Sequence, residues 1–141
     1  MAAIFDKLGI RFQYPENWTL DESEALAGDQ AITVYSPGGA FWSVFIRPVE
    51  LAPNKLAEAA LKTMRDQYDE LDAEAVTEKT AGKDLIGYDL NFYCLDLTNT
   101  AQVRSFRTID ASYVLLCQAD DREWDAAEPV FRAMTFSLLK G

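Results

Sequence analysis

The sequence has 141 residues and a mass of 15.8 kDa, the size of one ordinary domain. It carries 23 acidic residues against 13 basic residues, a formal net charge of −10. This excess of negative charge argues against binding to nucleic acid or to an anionic membrane surface. The sequence contains no histidine, which excludes a Ser-His-Asp triad or a Cys–His nucleophile within it.

The first third of the sequence predicts three short strands. Residues 10–14 form the first, which Pro15 ends because proline fixes φ and lacks an N–H group. Residues 31–36 form the second. A Pro-Gly-Gly turn signal then leads to a third strand at residues 41–47, so the second and third are expected to pair as a hairpin. Trp18, which follows the Pro15 turn, is expected to point inward as an anchor.

The clearest helix covers residues 54–71. Its apolar side chains recur at helical spacing, notably Leu56, Ala60, Met64 and Leu71. Three strand-like runs follow at residues 85–97, 102–109 and 113–119. Short turns separate these runs, which predicts an antiparallel meander. In the first run, alternation places Asp89 on the more polar face.

The four residues 120–123 resemble a capping box and begin a final helix. Pro129 is expected to kink or restart this helix. The order is then β-β-β-α-β-β-β-α in a single domain, residues 1–141. Strands grouped between two helices favour an α+β fold with an antiparallel sheet packed against helices.

Six acidic side chains straddle the end of the first predicted helix and the start of a strand: Asp66, Asp69, Glu70, Asp72, Glu74 and Glu78. A hard cation such as Ca²⁺ binds several such oxygens, but the glycine of an EF-hand loop is missing. The cluster is therefore interpreted as a solvated acidic face, and cation binding by these acids is left open. No metal or other cofactor is predicted.

Four charged residues of the meander are candidates for a site. Asp89 and Asp96 are seven apart, so in one strand they would lie on opposite faces and cannot form a carboxylate dyad. Arg104 and Arg107 also fall on opposite faces, which disfavours a phosphate clamp. Asp89 is expected to pair across the strands with Arg104 or Arg107, as an ordinary ion pair rather than a catalytic group.

Cys94 and Cys117 lie in apolar strand contexts and are expected to be buried, inert thiols. A disulfide would require their strands to be neighbours. The aromatic residues are more numerous than a minimal core needs. Five of them are expected either to pack in the core or to form an exposed patch that binds a partner: Trp18, Phe41, Trp42, Tyr93 and Trp124. The sequence has no secretory signal pattern and no apolar run that could span a bilayer, so a cytoplasmic bacterial protein is expected.

Two segments resemble the PsbP-like superfamily, which includes PsbP, the Ran-binding Mog protein and bacterial DcrB-like proteins. The first is Phe12-Gln13-Tyr14-Pro15-Glu16-Asn17-Trp18, similar to that group's early strand, proline and tryptophan. The second, residues 128–138, is similar to its last helix. The resemblance implies an α/β/α sandwich around an antiparallel sheet of about six strands. It also implies a binding or assembly role, with no shared catalytic residue.

The sequence is compatible with three functions. The first is a non-catalytic binding or adaptor module whose partner is another protein. The second is a small-molecule or lipid binder that uses a cleft between sheet and helix. The third, which the sequence favours least, is a carboxylate-based hydrolase, which needs two converging acids in a pocket. No catalytic residue is assigned, and the oligomeric state is left open.

Overall fold

A seven-stranded antiparallel sheet forms the centre of the fold in the computed structural model, which describes residues 2–28 and 30–141. Its strand order is β3-β4-β5-β9-β8-β7-β6, and β1 and β2 pair as a separate hairpin. The elements follow in the order β1 (Ala2–Lys7), β2 (Ile10–Pro15), β3 (Thr19–Asp21), α1 (Ser23–Leu26), β4 (Ala31–Tyr35), β5 (Phe41–Arg47), α2 (Pro53–Gln67), β6 (Asp72–Thr80), β7 (Lys83–Cys94), β8 (Leu97–Arg107), β9 (Ser112–Asp120) and α3 (Asp121–Lys140).

Each face of the sheet is covered by one long helix. On the first face, here the α3 face, Trp42 and Leu115 pack with Phe131 of α3 and Phe12 of the β1–β2 hairpin. On the other face, the α2 face, Phe92, Val103 and Val114 pack with Ala57 and Met64 of α2. Alternation along each strand sends successive side chains to opposite faces, and the result is an α/β/α sandwich.

The α+β class and the antiparallel sheet expected from the sequence are confirmed. The described residues contain seven strands in the main sheet rather than about six, and β1, β3 and β6 were not predicted. Helix α2 ends at Gln67 instead of residue 71, because Tyr68 already has extended backbone angles (φ −127°, ψ 118°). Leu71 still reaches the core at the start of β6.

Helix α3 begins at the predicted cap, since the Asp120 carboxylate accepts hydrogen bonds from the backbone N–H groups of Arg122 and Glu123. The reciprocal half of the capping box is not formed, because the Glu123 carboxylate accepts a hydrogen bond of 2.5 Å from the Ser36 hydroxyl. The predicted restart at Pro129 is wrong. The helix continues through it, held by the buried side chains of Ala127 and Phe131 on either side.

The aromatic residues divide between core and surface. Trp42 is fully buried, and its indole Nε1 donates to the Thr135 hydroxyl of α3 at 3.0 Å. Trp18 is half-buried rather than a deep anchor, with its ring edge-on to Phe131 at 5.8 Å. Tyr93 is 64% exposed, so packing alone does not account for it.

Candidate functional site

A groove opens on the α3 face, where helix α3 packs on β9 and β8 but leaves β6 and much of β7 uncovered. Its volume is about 550 Å³. We call it the Arg104 groove. Its lining includes Val76, Glu78, Asp89, Gln102 and Arg104 from the sheet, and Glu128, Phe131, Arg132, Thr135 and Phe136 from α3.

Arg104 forms the floor of the groove, and its side chain is only 7% exposed. Its Nε donates to Glu78 Oε1 at 2.9 Å, and its Nη2 donates to Asp89 Oδ1 at 2.7 Å. Its Nη1 donates to the backbone carbonyls of Tyr88 and Val103 at 3.1 and 3.0 Å. A buried charge is tolerated when it is paired and hydrogen-bonded in this way.

The electrostatics of Arg104 follow from these contacts. Burial by itself lowers the pKa of the guanidinium, and the hydrogen bonds and charges of Asp89 and Glu78 outweigh it and raise the pKa overall. The side chains of Glu78 and Asp89 are 46% and 42% exposed, so both carboxylates also face solvent in the groove. The floor is thus a fixed cation between two accessible anions.

The register of the sheet explains how Arg104 reaches both acids. Arg104 lies directly opposite Gly87 on β7, and Gly87 lies opposite Val76 on β6. A Cβ atom at position 87 would lie 1.7 Å from the Val103 carbonyl oxygen, so β7 approaches β8 too closely for any other residue. Because Gly87 has no side chain, the Arg104 side chain can extend across β7 and reach Glu78 on β6.

Helix α3 supplies the opposite wall. Arg132 donates to Glu128, one turn earlier, and this pair borders the groove. Phe131 is buried beneath it, whereas Phe136 is 47% exposed at the rim. The groove therefore combines paired charges with apolar surface.

The hypothesis of a cross-strand pair between Asp89 and Arg104 is confirmed. Arg107 does face away from Arg104, since its Nε points to the Ser112 hydroxyl at 3.4 Å. The prediction that Asp96 lies in a strand is wrong, because it lies in the β7–β8 turn with a positive φ of 62°. Glu78 was not predicted as a partner of Arg104, because its segment, β6, was not predicted as a strand.

The acidic cluster does not converge on one point. Glu78 belongs to the Arg104 groove, whereas Asp66 pairs with Lys62 on the exposed side of α2 at 3.2 Å. Among the described residues, no three His, Cys, Asp or Glu side chains are grouped as metal ligands.

The two cysteines are free, and β8 separates their strands. A disulfide within the chain is therefore excluded in this fold. Cys117 is buried as expected, and burial raises the pKa of its thiol. Cys94 is only half-buried.

A second, apolar cleft of about 340 Å³ lies on the α2 face, and we call it the α2 cleft. It is bordered by Leu56, Ala60 and Met64 of α2 and by Phe45, Val114 and Leu116 of the sheet. Over the described residues, none of the helices is both long and apolar enough to cross a membrane.

No protein-family model matches this sequence, and no curated protein matches it significantly. Solved structures do match over nearly the whole chain. The cyanobacterial PsbP protein CyanoP from Synechocystis sp. PCC 6803 has a TM-score of 0.67 at 13% identity, covering 96% of this chain and 90% of that chain.

Two further structures have the same architecture. PA94 of Pseudomonas aeruginosa, a protein of unknown function, has a TM-score of 0.61 at 9% identity, covering 97% of this chain and 95% of that chain. LpqN, involved in cell envelope biogenesis of Mycobacterium tuberculosis, has a TM-score of 0.51 at 13% identity, covering 95% and 87%. At these identities the likeness concerns the fold alone, and the chain has the PsbP-like fold that its sequence resembles.

Proposed function

We propose that this protein is a non-catalytic binding module that engages another protein through the Arg104 groove. The observation that carries the proposal is that Arg104, at the floor of the groove, is paired with Glu78 and Asp89. The Arg104 guanidinium is held by two carboxylates and two carbonyls, so the groove presents a rigid, preformed surface. Preorganised surfaces of this kind lower the cost of binding.

The composition of the groove suits a protein partner. Charged pairs on both walls surround apolar surface, and the exposed Phe136 ring lies at the rim. Aromatic residues are enriched among the residues that dominate binding energy in protein interfaces. A groove with this mixture can accept a side chain of a partner and satisfy its polar backbone at the same time.

Glu78 and Asp89 do converge in one groove, which is the arrangement that a carboxylate-based hydrolase needs. Both, however, are tied to the same guanidinium, at 2.9 and 2.7 Å. We infer that their role is to hold Arg104 rather than to exchange protons with a substrate. Absence of enzymatic activity is therefore part of the proposal.

Quantitative affinity capture from cells of the source tests this proposal. Phe136→Glu places a charge at the groove rim, and Leu26→Glu, which changes an 87% exposed residue on α1 that does not line the groove, is the matched control. We expect a protein that is captured by the wild type and by Leu26→Glu and is depleted at least fivefold with Phe136→Glu. Equal capture by all three folded proteins would contradict the proposal.

The α2 cleft favours a second candidate function, binding of a small apolar molecule or a lipid. Its walls are mostly apolar side chains, as in many small-molecule sites. Melting with and without long-chain fatty acids tests this candidate, because a bound ligand raises the melting temperature as its concentration exceeds Kd.

The cytoplasmic location and the bacterial origin stay predictions.

A further inference from the structure

The outer edge of β6 is a long strand edge that the fold leaves unpaired. β6 spans nine residues, Asp72–Thr80, and pairs only with β7 among the described residues. The opposite edge of the sheet is β3, which has three residues. Exposed edges present rows of unpaired N–H and C=O groups that can pair with another chain.

The turn before β7 determines which backbone groups face outward. Ala81 and Gly82 have φ values of 51° and 78°, as in a two-residue type I′ hairpin. In such a hairpin the flanking residues, Thr80 and Lys83, exchange both hydrogen bonds, and bonded pairs then alternate along the ladder. The outward N–H and C=O groups therefore belong to Ala73, Ala75, Thr77 and Lys79.

The side chains along β6 differ between the two faces of the sheet. Glu74, Val76 and Glu78 share the α3 face, and Val76 and Glu78 border the Arg104 groove. Ala73, Ala75 and Thr77 are small and lie on the α2 face. An added strand can therefore approach closely. Its side chains on the α3 face would lie opposite Glu78, Val76 and Glu74.

A second copy of this chain fits this edge poorly in the register that is centred on Val76, beside the Arg104 groove. Antiparallel pairing of two β6 strands about Val76 would place Glu74 of each copy directly opposite Glu78 of the other. Like charges directly opposite each other in a sheet are destabilising. The same acids attract a strand that carries cations at those positions.

We propose that a partner protein adds an extended segment antiparallel to β6, with cationic, apolar and cationic side chains at alternate positions i, i+2 and i+4. The two cations lie opposite Glu78 and Glu74, and the apolar residue lies opposite Val76. The added strand extends the floor of the Arg104 groove, so this inference rests on the proposed function and specifies the chemistry of the partner. It is a case of strand addition to an open sheet edge.

A synthetic peptide tests the inference directly. The probe is Ser-Thr-Lys-Thr-Val-Thr-Lys-Thr-Ser, in which lysine, valine and lysine occupy alternate positions. One control peptide replaces both lysines by glutamate, and a second carries N-methyl groups on its four threonines, which keeps the charge and removes the donors that face β6. Binding is followed by NMR of the labelled full-length protein.

We expect the probe to slow amide hydrogen exchange at Ala73, Ala75, Thr77 and Lys79, and to bind at least fivefold more tightly than either control. Thr77→Pro should abolish binding, because it removes an outward donor that β7 does not use, whereas Thr77→Val should not. Glu74→Lys should weaken binding about fivefold. Asp69→Lys, the same charge change outside β6, should weaken it less than twofold.

Three results would overturn the inference. These are no perturbation of β6 at millimolar probe, equal binding of the N-methylated peptide, or unchanged binding by a folded Thr77→Pro variant. If these occur while Phe136→Glu still depletes a captured protein, the groove binds its partner without strand addition. If the probe binds β6 as expected but Phe136→Glu does not deplete a captured protein, the proposed function is contradicted and strand addition to β6 is still supported.

Discussion

At the scale of single residues, Arg104 joins three strands, because its guanidinium binds Glu78 on β6, Asp89 on β7 and backbone carbonyls of β7 and β8. Removing one partner of a buried ion pair costs about 3–5 kcal/mol. The cost here is reduced because both carboxylates are partly exposed and screened by water.

We predict that Arg104→Met lowers the free energy of unfolding by about 2–4 kcal/mol, measured by urea denaturation. Arg107→Met is the matched control, since Arg107 is exposed on the other face of the same strand, and it should change stability by less than about 0.5 kcal/mol. Similar losses in both variants would show that the Arg104 network does not hold β6 to the sheet.

The residues of this network could be predicted only in part. Asp89 and Arg104 lie in neighbouring predicted strands, so their pairing follows from the meander. Glu78 lies on β6, whose sequence has few large apolar residues and therefore gave no strand signal. The close approach at Gly87 depends on the register of β7 and β8, which the residue pattern does not specify.

At the scale of elements, helix α3 depends on the Asp120 cap. The hydrogen bond from the Arg122 side chain is the main cause that lowers the pKa of Asp120, and backbone N–H bonds of Arg122 and Glu123 add to it. A carboxyl whose pKa is lower in the folded state stabilises the fold above its unfolded pKa. This contribution is lost as pH falls through the lower, folded value.

Asp120→Asn keeps a capping oxygen but cannot titrate. We therefore predict that wild type exceeds Asp120→Asn in stability at pH 6, and that the difference shrinks as pH falls below about 4, near the pKa of an unperturbed aspartate. Urea denaturation at a series of pH values measures this. A difference that is constant with pH, or that grows in acid, would contradict the role of the charged cap.

Elements with a buried face were predicted well, and exposed ones were not. β5 and α2 carry apolar residues at the period of their structure, because one side of each lies on the core. β1, β3 and β6 lie at edges or outside the main sheet, so burial imposes little pattern on them. Pro129 was predicted to kink or restart the last helix, and α3 continues through it because tertiary packing maintains it.

At the scale of the whole molecule, the two long helices are displaced relative to each other across the sheet. α3 packs on β9, β8 and the β1–β2 hairpin, whereas α2 packs on β7, β8 and β9. Each helix leaves a different part of the sheet uncovered, and these parts form the Arg104 groove and the α2 cleft. The sequence predicted two covering helices but not their offset, because the offset depends on strand order and register.

The most direct test of binding at the Arg104 groove is site-specific photocrosslinking in cells of the source. A photoreactive phenylalanine analogue is placed at Phe136 on the groove rim, or at Leu26 on α1 outside the groove, and the crosslinked proteins are identified by mass spectrometry. We predict one protein that is crosslinked from position 136 and not from position 26, in amounts that fall when Glu74 is changed to Lys. The same set of crosslinks from both positions, or none from position 136, would contradict the proposed binding site.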